Sequence, residues 1–301
     1  MTPLPSLKQL RYLVALSEHL NFTQAAQSCF VTQSTLSAGL KELEKVLGAQ
    51  LVERDRQTVL MTPVGQEVAS RARVIMAATR DLAESAAAAT EPMTGLLRLG
   101  VIPTIAPFLL PQSLGLLRKR YPELRLALRE DLTANLLMRL EDGQIDLALM
   151  ALPYDTGNFL VEPLFDDYLW VVAPKDDPGV TARTVSMTPS ISARLLLLEE
   201  GHCLRDHALY ACSASNHGSP AGLEATSLLT LVQMVESGLG IGLIPEMAVR
   251  GGLVKSRNLI ARPVVKPSPK RTIALLARRS TSRLAALHAL AEVFHSVADS
   301  K

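Results

Sequence analysis

The sequence has little cysteine, little net charge and no long apolar run, and each shortage narrows what the chain can be. Three cysteines in 301 residues are too few for a disulfide framework. No stretch reaches about 18 apolar residues, so a membrane-spanning helix is not expected. Lys8, Arg11 and Glu18 interrupt the apolar N-terminus and break any signal-peptide core. A cytoplasmic chain is expected, and in a reducing cytosol a disulfide is regulatory rather than structural. The formal net charge is only +2, with a pI near 8.5, whereas a strongly basic nucleic-acid footprint sits higher. Up to Met61, six basic residues stand against five acidic ones, so bulk charge makes no case for a nucleic acid partner. His19, His207, His217, His288 and His295 show no ligand spacing, and neither metal nor cofactor is expected. A thioredoxin-like C-x-x-C is missing, which argues against a thiol peroxidase.

What is present is ordinary globular material, with 48% hydrophobic and 20% charged residues. The length suits about two domains at roughly 150 residues each. Ser6 to Gln9 reads as a capping box opening a helix with Leu7, Leu10, Leu13 and Val14 on one face. Asn21 starts a short small-residue helix reaching about Cys29, and Phe30-Val31-Thr32 breaks it. Thr32 caps a third helix, Gln33 to about Leu47, striped by Leu36, Leu40, Leu43 and Leu47 and ended by Gly48. Leu51 to Met61 reads as two short strands around Asp55-Arg56-Gln57, a wing. Thr62-Pro63 opens a long helix to about Ala89, whose Val64, Val68, Ala72, Ile75, Ala78 and Leu82 recur at steps of three and four. Such a narrow seam with no adjoining core fits pairing with a second helix; packing on its own domain is the alternative.

Glu91-Pro92-Met93-Thr94-Gly95 reads as a hinge. Beyond it strands and helices alternate. Strands are expected at Leu97–Ile102, Leu124–Arg129, Asp146–Ala151, Leu169–Ala173, Leu195–Glu199, Ile241–Ile244 and Thr272–Ala277. Helices are expected at Phe108–Tyr121, Thr133–Glu141, Ser227–Ser237 and Ser282–Val297. This is an α/β pattern with largely parallel sheets, long enough for two small subdomains with a cleft between them.

Two short helices with a tight break and then a wing make a winged helix-turn-helix, which presents the N-terminal residues of its second helix to base edges. Those residues are Gln33, Ser34, Thr35 and Ser37, with Arg54 and Arg56 on the wing for phosphates or a minor groove. A helical bundle with a solvated polar face is the competing reading. Leu10 to Gly65, through "LRYLVALSEHLNFTQAAQSC", "TQSTLSAGLKELEKVLGAQLVER" and "MTPVG", resembles the N-terminal module of LysR-type regulators. The resemblance implies a dimerising linker helix and an effector module of two periplasmic-binding-protein-like subdomains. The expected layout is a winged helix-turn-helix over 1–61, a linker helix and hinge over 62–93, and an α/β regulatory domain over 94–301. Its subdomain I spans about 94–165 and 270–301, and its subdomain II about 166–269.

Glu199-Glu200-Gly201-His202-Cys203-Leu204-Arg205-Asp206, followed by Cys212, resembles the peroxide-responsive OxyR branch of that family. Ile102-Pro103-Thr104 and Lys270-Arg271-Thr272-Ile273 resemble other segments of it. The resemblance implies a redox-active pair, Cys203 and Cys212, and peroxide-pocket residues Thr104, Thr133, His202 and Arg271. It also implies palindromic double-stranded DNA, hydrogen peroxide, RNA polymerase and a thiol reductant as partners, and a homotetramer built as a dimer of dimers. A helix start and a neighbouring imidazolium at Cys203 would both favour thiolate, the reactive form. If 203–212 is helical, nine steps put the two Cα atoms about 13 Å apart on opposite faces, beyond the roughly 7 Å that a disulfide tolerates. The bland alternative for Cys203 is a small buried hydrophobe, and Cys29 reads as packing. A small organic effector in the cleft, with the cysteines incidental, is the competing function. The sequence departs from the OxyR branch after Cys212, where Ser213 to Leu223 is loose and carries Gly218, Pro220 and Gly222.

Overall fold

The structure, a computed structural model, describes residues 4–54, 59–88, 93–213, 223–255 and 257–299. The chain divides into two compact units, one built on 1–90 with 141–144 and the other on 91–140 and 145–301.

In the first unit α1 (Leu7–His19) opens with the expected reciprocal cap. Ser6 Oγ accepts from the Gln9 N–H at 3.3 Å, and Gln9 Oε1 accepts from the Ser6 N–H at 2.8 Å. Asn21 caps α2 (Phe22–Ser28) by accepting from the Thr23 and Gln24 N–H groups. Thr32 caps α3 (Gln33–Leu47), which ends at Gly48 in the left-handed region. The strands β1 (Val52–Arg54) and β2 (Val59–Met61) pair antiparallel. The helix α4 spans Pro63–Ala88. Leu13, Leu16, Leu36, Leu40, Leu43 and Leu51 form one buried core, closed by Ala69 and Ala72 of α4. The expected α4 seam therefore splits. Ala72 is buried and Val68 packs against this core, while Val64, Ile75 and Leu82 stay exposed.

In the second unit β3 (Gly95–Val101), α5 (Ala106–Arg120), β4 (Leu124–Glu130), α6 (Thr133–Glu141) and β5 (Leu147–Leu152) follow one another. A 16-residue strand, β6 (Phe159–Pro174), then leads to α7 (Pro189–Ser192), β7 (Leu195–Leu198) and α8 (Cys203–Ser213). The remainder is β8 (Glu224–Ala225), α9 (Leu228–Glu236), β9 (Ile241–Pro245), α10 (Glu246–Arg250), β10 (Leu259–Pro263), β11 (Lys270–Arg278) and α11 (Leu284–Asp299). The strands form one path, β4-β3-β5-β11-β6-β9-β7-β8, with β10 beside β6. The largely parallel expectation needs correction here. Strand β3 pairs parallel with β4 and β5, and β7 with β8 and β9, but β6 and β11 run antiparallel to every partner they have. These two long strands carry the chain from one half of the unit to the other and back, and a returning strand runs opposite to its neighbours.

Two buried clusters result. One gathers β3, β5, β11 and α11 around Leu97, Leu99, Leu149, Leu275 and Phe294. The other gathers β6, β7, β9 and α9 around Val171, Leu196, Val232 and Ile244. Gly100 lets α6 lie close on β3, since a Cβ there would stand 2.7 Å from Leu136 Cδ2 and 2.6 Å from Ile145 Cδ1. The wing tip 55–58 with Arg56, the hinge residues Glu91 and Pro92, and 214–222 lie outside the described residues.

Candidate functional site

The C-terminal ends of parallel strands open onto loops where α/β folds collect ligands. Strand β3 ends at Val101, just before Thr104. Strand β4 ends at Glu130, just before Thr133, the first residue of α6. Strand β7 ends at Leu198, before the turn into α8. Gly201 makes that turn with φ +94°, a conformation open to glycine and strained for other residues. Strand β11 is antiparallel to β5, with Thr272 opposite Leu152, so its first residues lie level with the end of β5. Five side chains from four separated segments thereby converge. Thr104, Thr133, His202, Cys203 and Arg271 are all buried. Ile102, Pro103, Leu132 and Gly201 complete a narrow crevice around the first four.

Arg271 is fully enclosed, and all its nitrogens are engaged. Its Nε donates to Asp167 Oδ2 at 3.0 Å, its Nη1 to Thr104 Oγ1 at 2.7 Å and its Nη2 to the Thr104 carbonyl at 3.1 Å. A guanidinium only donates, so Thr104 Oγ1 is the acceptor and its own proton is left to point elsewhere. Asp167 also accepts the Met247 N–H at 3.0 Å. Burial pushes the Asp167 carboxyl above its ordinary value, while the Arg271 charge and the Met247 N–H work against that. Thr133 Oγ1 is buried without a full hydrogen bond, although it lies where it favours an ionised Cys203. Neither threonine caps its helix. The cap of α5 is Ile105, with no side-chain hydrogen bond, and the Thr133 hydroxyl bonds to no backbone group.

The electrostatics at Cys203 differ from the expectation of a ready thiolate. Burial pushes the thiol up from its ordinary value, and the Arg271 charge and the Thr133 hydroxyl only partly offset this. Burial pushes the His202 ring below its ordinary value, despite Glu199 at 4.0 Å and the Thr226 backbone, and so favours the neutral imidazole over the imidazolium. It can therefore act as a neutral donor or acceptor. Cys212 is buried as well and reduced, as are Cys203 and Cys29. Burial raises its thiol too, against a hydrogen bond with Ser192. Helix α8 runs unbroken from Cys203 to beyond Cys212, so the two thiols point to opposite sides of one helix.

In the first unit Gln33, Ser34 and Thr35 are exposed at the start of α3, and Ser37 is half-buried. Thr23 Oγ1 bonds to Gln33 Oε1 at 3.3 Å, and the Thr32 hydroxyl bonds to those of Ser34 and Thr35 at 2.9 and 2.8 Å. Arg54 ends β1. Among the described residues no cluster of His, Cys, Asp or Glu suits a metal, and no helix is long and apolar enough to cross a membrane. The sequence reading missed Asp167, Ser192 and His207. The Asp166-Asp167 pair inside an otherwise apolar stretch was the available signal, since a charge in a core strand demands a partner.

Comparison with known proteins agrees with both halves. Residues 7–66 match the bacterial regulatory helix-turn-helix protein, lysR family, and residues 90–299 match the LysR substrate binding domain. The chain is 47% identical to the HTH-type transcriptional regulator EstR of Acinetobacter baylyi over 281 residues, 93% of each chain. It is 41% identical to the probable hydrogen peroxide-inducible genes activator of Streptomyces viridosporus over 288 residues, 95% of this chain and 92% of that one. The structure of full-length OxyR from Pseudomonas aeruginosa, a cysteine-to-aspartate variant, superposes with a TM-score of 0.81 at 34% identity, covering 97% of this chain and 98% of that one. With both modules matched in order along its length, the chain belongs to the LysR family of bacterial helix-turn-helix transcription regulators.

Proposed function

We propose that this regulator senses hydrogen peroxide through Cys203 and is switched by a reversible disulfide between Cys203 and Cys212. The observation that carries the reading is the convergence of Thr104, Thr133, His202 and Arg271 on a buried cysteine at the start of α8, with a second buried cysteine near the other end of the same helix. The relatives that include a peroxide-inducible activator and an OxyR support it.

The Cys203 sulfur attacks the near oxygen of peroxide as thiolate, and the O–O bond breaks. The far oxygen leaves with a proton as water. Thr104, whose acceptor side is taken by Arg271, presents its O–H to that oxygen, and Thr133 and the neutral His202 hold or protonate it. The sulfenic acid on Cys203 then condenses with the Cys212 thiol, which forms the S–S bond and releases a second water. A cellular thiol reductant supplies the two electrons that reset both sulfurs. Because about 13 Å of helix separates the Cα atoms, the second step requires α8 to unwind, and that is the conformational output.

Residues 1–61 bind palindromic DNA through Gln33, Ser34, Thr35 and Ser37, with Arg54 and Arg56 on the backbone. Residues 62–93 pair two chains through Val64, Val68, Ile75 and Leu82. Residues 94–301 hold the sensor and join dimers into a tetramer, which meets RNA polymerase in the cytoplasm. The exposure of Val64, Ile75 and Leu82 at 48%, 46% and 74% in the single chain supports the pairing. The test is mobility on promoter DNA with and without peroxide. A change with peroxide that a reductant reverses is expected; a response confined to metabolites overturns the reading.

A further inference from the structure

The crevice at Cys203 leaves no room for an organic molecule. One turn further along the same face of α8 a cavity of about 790 Å³ opens, a size typical of small-molecule sites. Met187, Val264, Val265, Pro153 and Pro267 give it apolar walls, and His207 and Tyr210 of α8 enter from one side. His207 is 7% exposed; its ring leans on the Pro153 carbonyl without completing a hydrogen bond there, and its other nitrogen has no partner among the described residues. A buried polar group in that state costs free energy until something pairs with it. Burial pushes its imidazole down, Arg271 adds to this, and the Pro153 carbonyl and Asp206 act against it. The ring is thus neutral and offers one donor and one acceptor.

The formal charges that line the cavity are balanced in number, once Lys270 is counted with Asp166. Asp206 and Lys266 both line it, and neither has an ion pair among the described residues. The Lys270 ammonium is 2.5 Å from Asp166 Oδ2 and already neutralised. A hydroxyl group both gives and takes a hydrogen bond, which matches a neutral imidazole, and apolar walls match a hydrocarbon body.

We infer that the cavity between α8 and the 264–270 segment is a second ligand site, which takes an uncharged alcohol or phenol with an apolar body and pairs its hydroxyl with His207. The consequence for control rests on the disulfide reading above. A ligand that binds α8 only as a helix must favour the reduced form by linkage and slow the Cys203–Cys212 bond.

The probe is 2-naphthol, titrated by its fluorescence into the reduced full-length protein, with 2-naphthoate as the charged comparison. Saturable binding of 2-naphthol is expected. Val265→Trp, at a 43% exposed position where bulk fills the cavity mouth, is expected to abolish it while circular dichroism and DNA binding are kept. His207→Leu is expected to weaken it about tenfold. No saturable binding, or binding unchanged in Val265→Trp, overturns the site; equal affinity for naphthoate overturns the uncharged class. Saturating 2-naphthol is then expected to slow disulfide formation after a peroxide pulse in the parent and not in Val265→Trp. Binding without that slowing overturns the coupling and leaves the site standing, and binding in a protein that forms no disulfide at all separates failure of the switch from failure of the site.

Discussion

Cys203 and Cys212 stand on one helix and are buried in two different cores, Cys203 with Leu99, Leu149 and Ile273 and Cys212 with Leu196, Ala225 and Val232. Bringing the two sulfurs together removes at least one of them from its core. The helix is therefore held from both ends by apolar burial, and the proposed covalent bond would have to overcome that packing.

The pair divides the switch into separable steps. Cys203→Ser is expected to leave the protein in its reduced DNA-binding mode under peroxide. Cys212→Ser is expected to form sulfenic acid at Cys203, trapped with dimedone and read by mass, yet to change little on DNA. If Cys212→Ser switched like the parent, the disulfide would not be the output.

In the proposed mechanism the donors around Cys203 act on the leaving oxygen. Thr104→Val and Thr133→Val remove one hydroxyl each at nearly constant volume. Each is expected to slow oxidation of Cys203 at least tenfold in stopped flow, about 1.4 kcal/mol of barrier. Unchanged rates in folded variants would strip both threonines of that role.

The legibility of the chain was uneven. The bounds of α3 were readable to the residue because Thr32 and Gly48 mark its ends with chemistry that few other positions tolerate. The long strand β6 was seen only at Leu169–Ala173, because Pro163 and the Asp166-Asp167 pair interrupt its apolar pattern. Its direction was unreadable, since alternation is the same in parallel and antiparallel strands. The site residues Thr104, Thr133, His202 and Arg271 came from resemblance, and spacing alone would not have joined them. Asp167 meets Arg271 across 104 positions through strand register, and nothing local announces such a partner. Burial works against the thiolate expectation at Cys203, because a sequence shows the helix start beside it but not its burial.

That burial has a kinetic signature. A thiol held above its ordinary range is mostly protonated at neutral pH, so the reactive fraction grows as pH rises. The oxidation rate is expected to climb about tenfold per pH unit between roughly pH 6 and pH 8. A flat profile over that range would mean a thiolate already formed, contrary to the burial of Cys203.

The enclosed ion pair should also show in stability. Asp167→Ala leaves the Arg271 guanidinium buried with only Thr104 for company. Removing one partner of a buried pair costs about 3–5 kcal/mol, which denaturant titration of the isolated 94–301 region or the full chain resolves. A loss below about 1 kcal/mol would indicate that water reaches the pair.

On the DNA side, Ser37→Ala is expected to change base preference, whereas Arg54→Ala or Arg56→Ala weakens all sequences alike and lowers the salt slope by about one per lost phosphate contact. Ile75→Glu places a charge on the exposed α4 seam, and dimers and DNA binding are expected to fail together in sedimentation and gel shift. A stable Ile75→Glu dimer would move the pairing surface elsewhere.

The most direct measurement is a non-reducing peptide map of the full-length protein after a short peroxide pulse. One new linked peptide is expected, joining Cys203 to Cys212 within a single chain and vanishing on reduction. A bond from Cys203 to Cys29, a bond between chains, or no bond at all while DNA binding still responds to peroxide would contradict it.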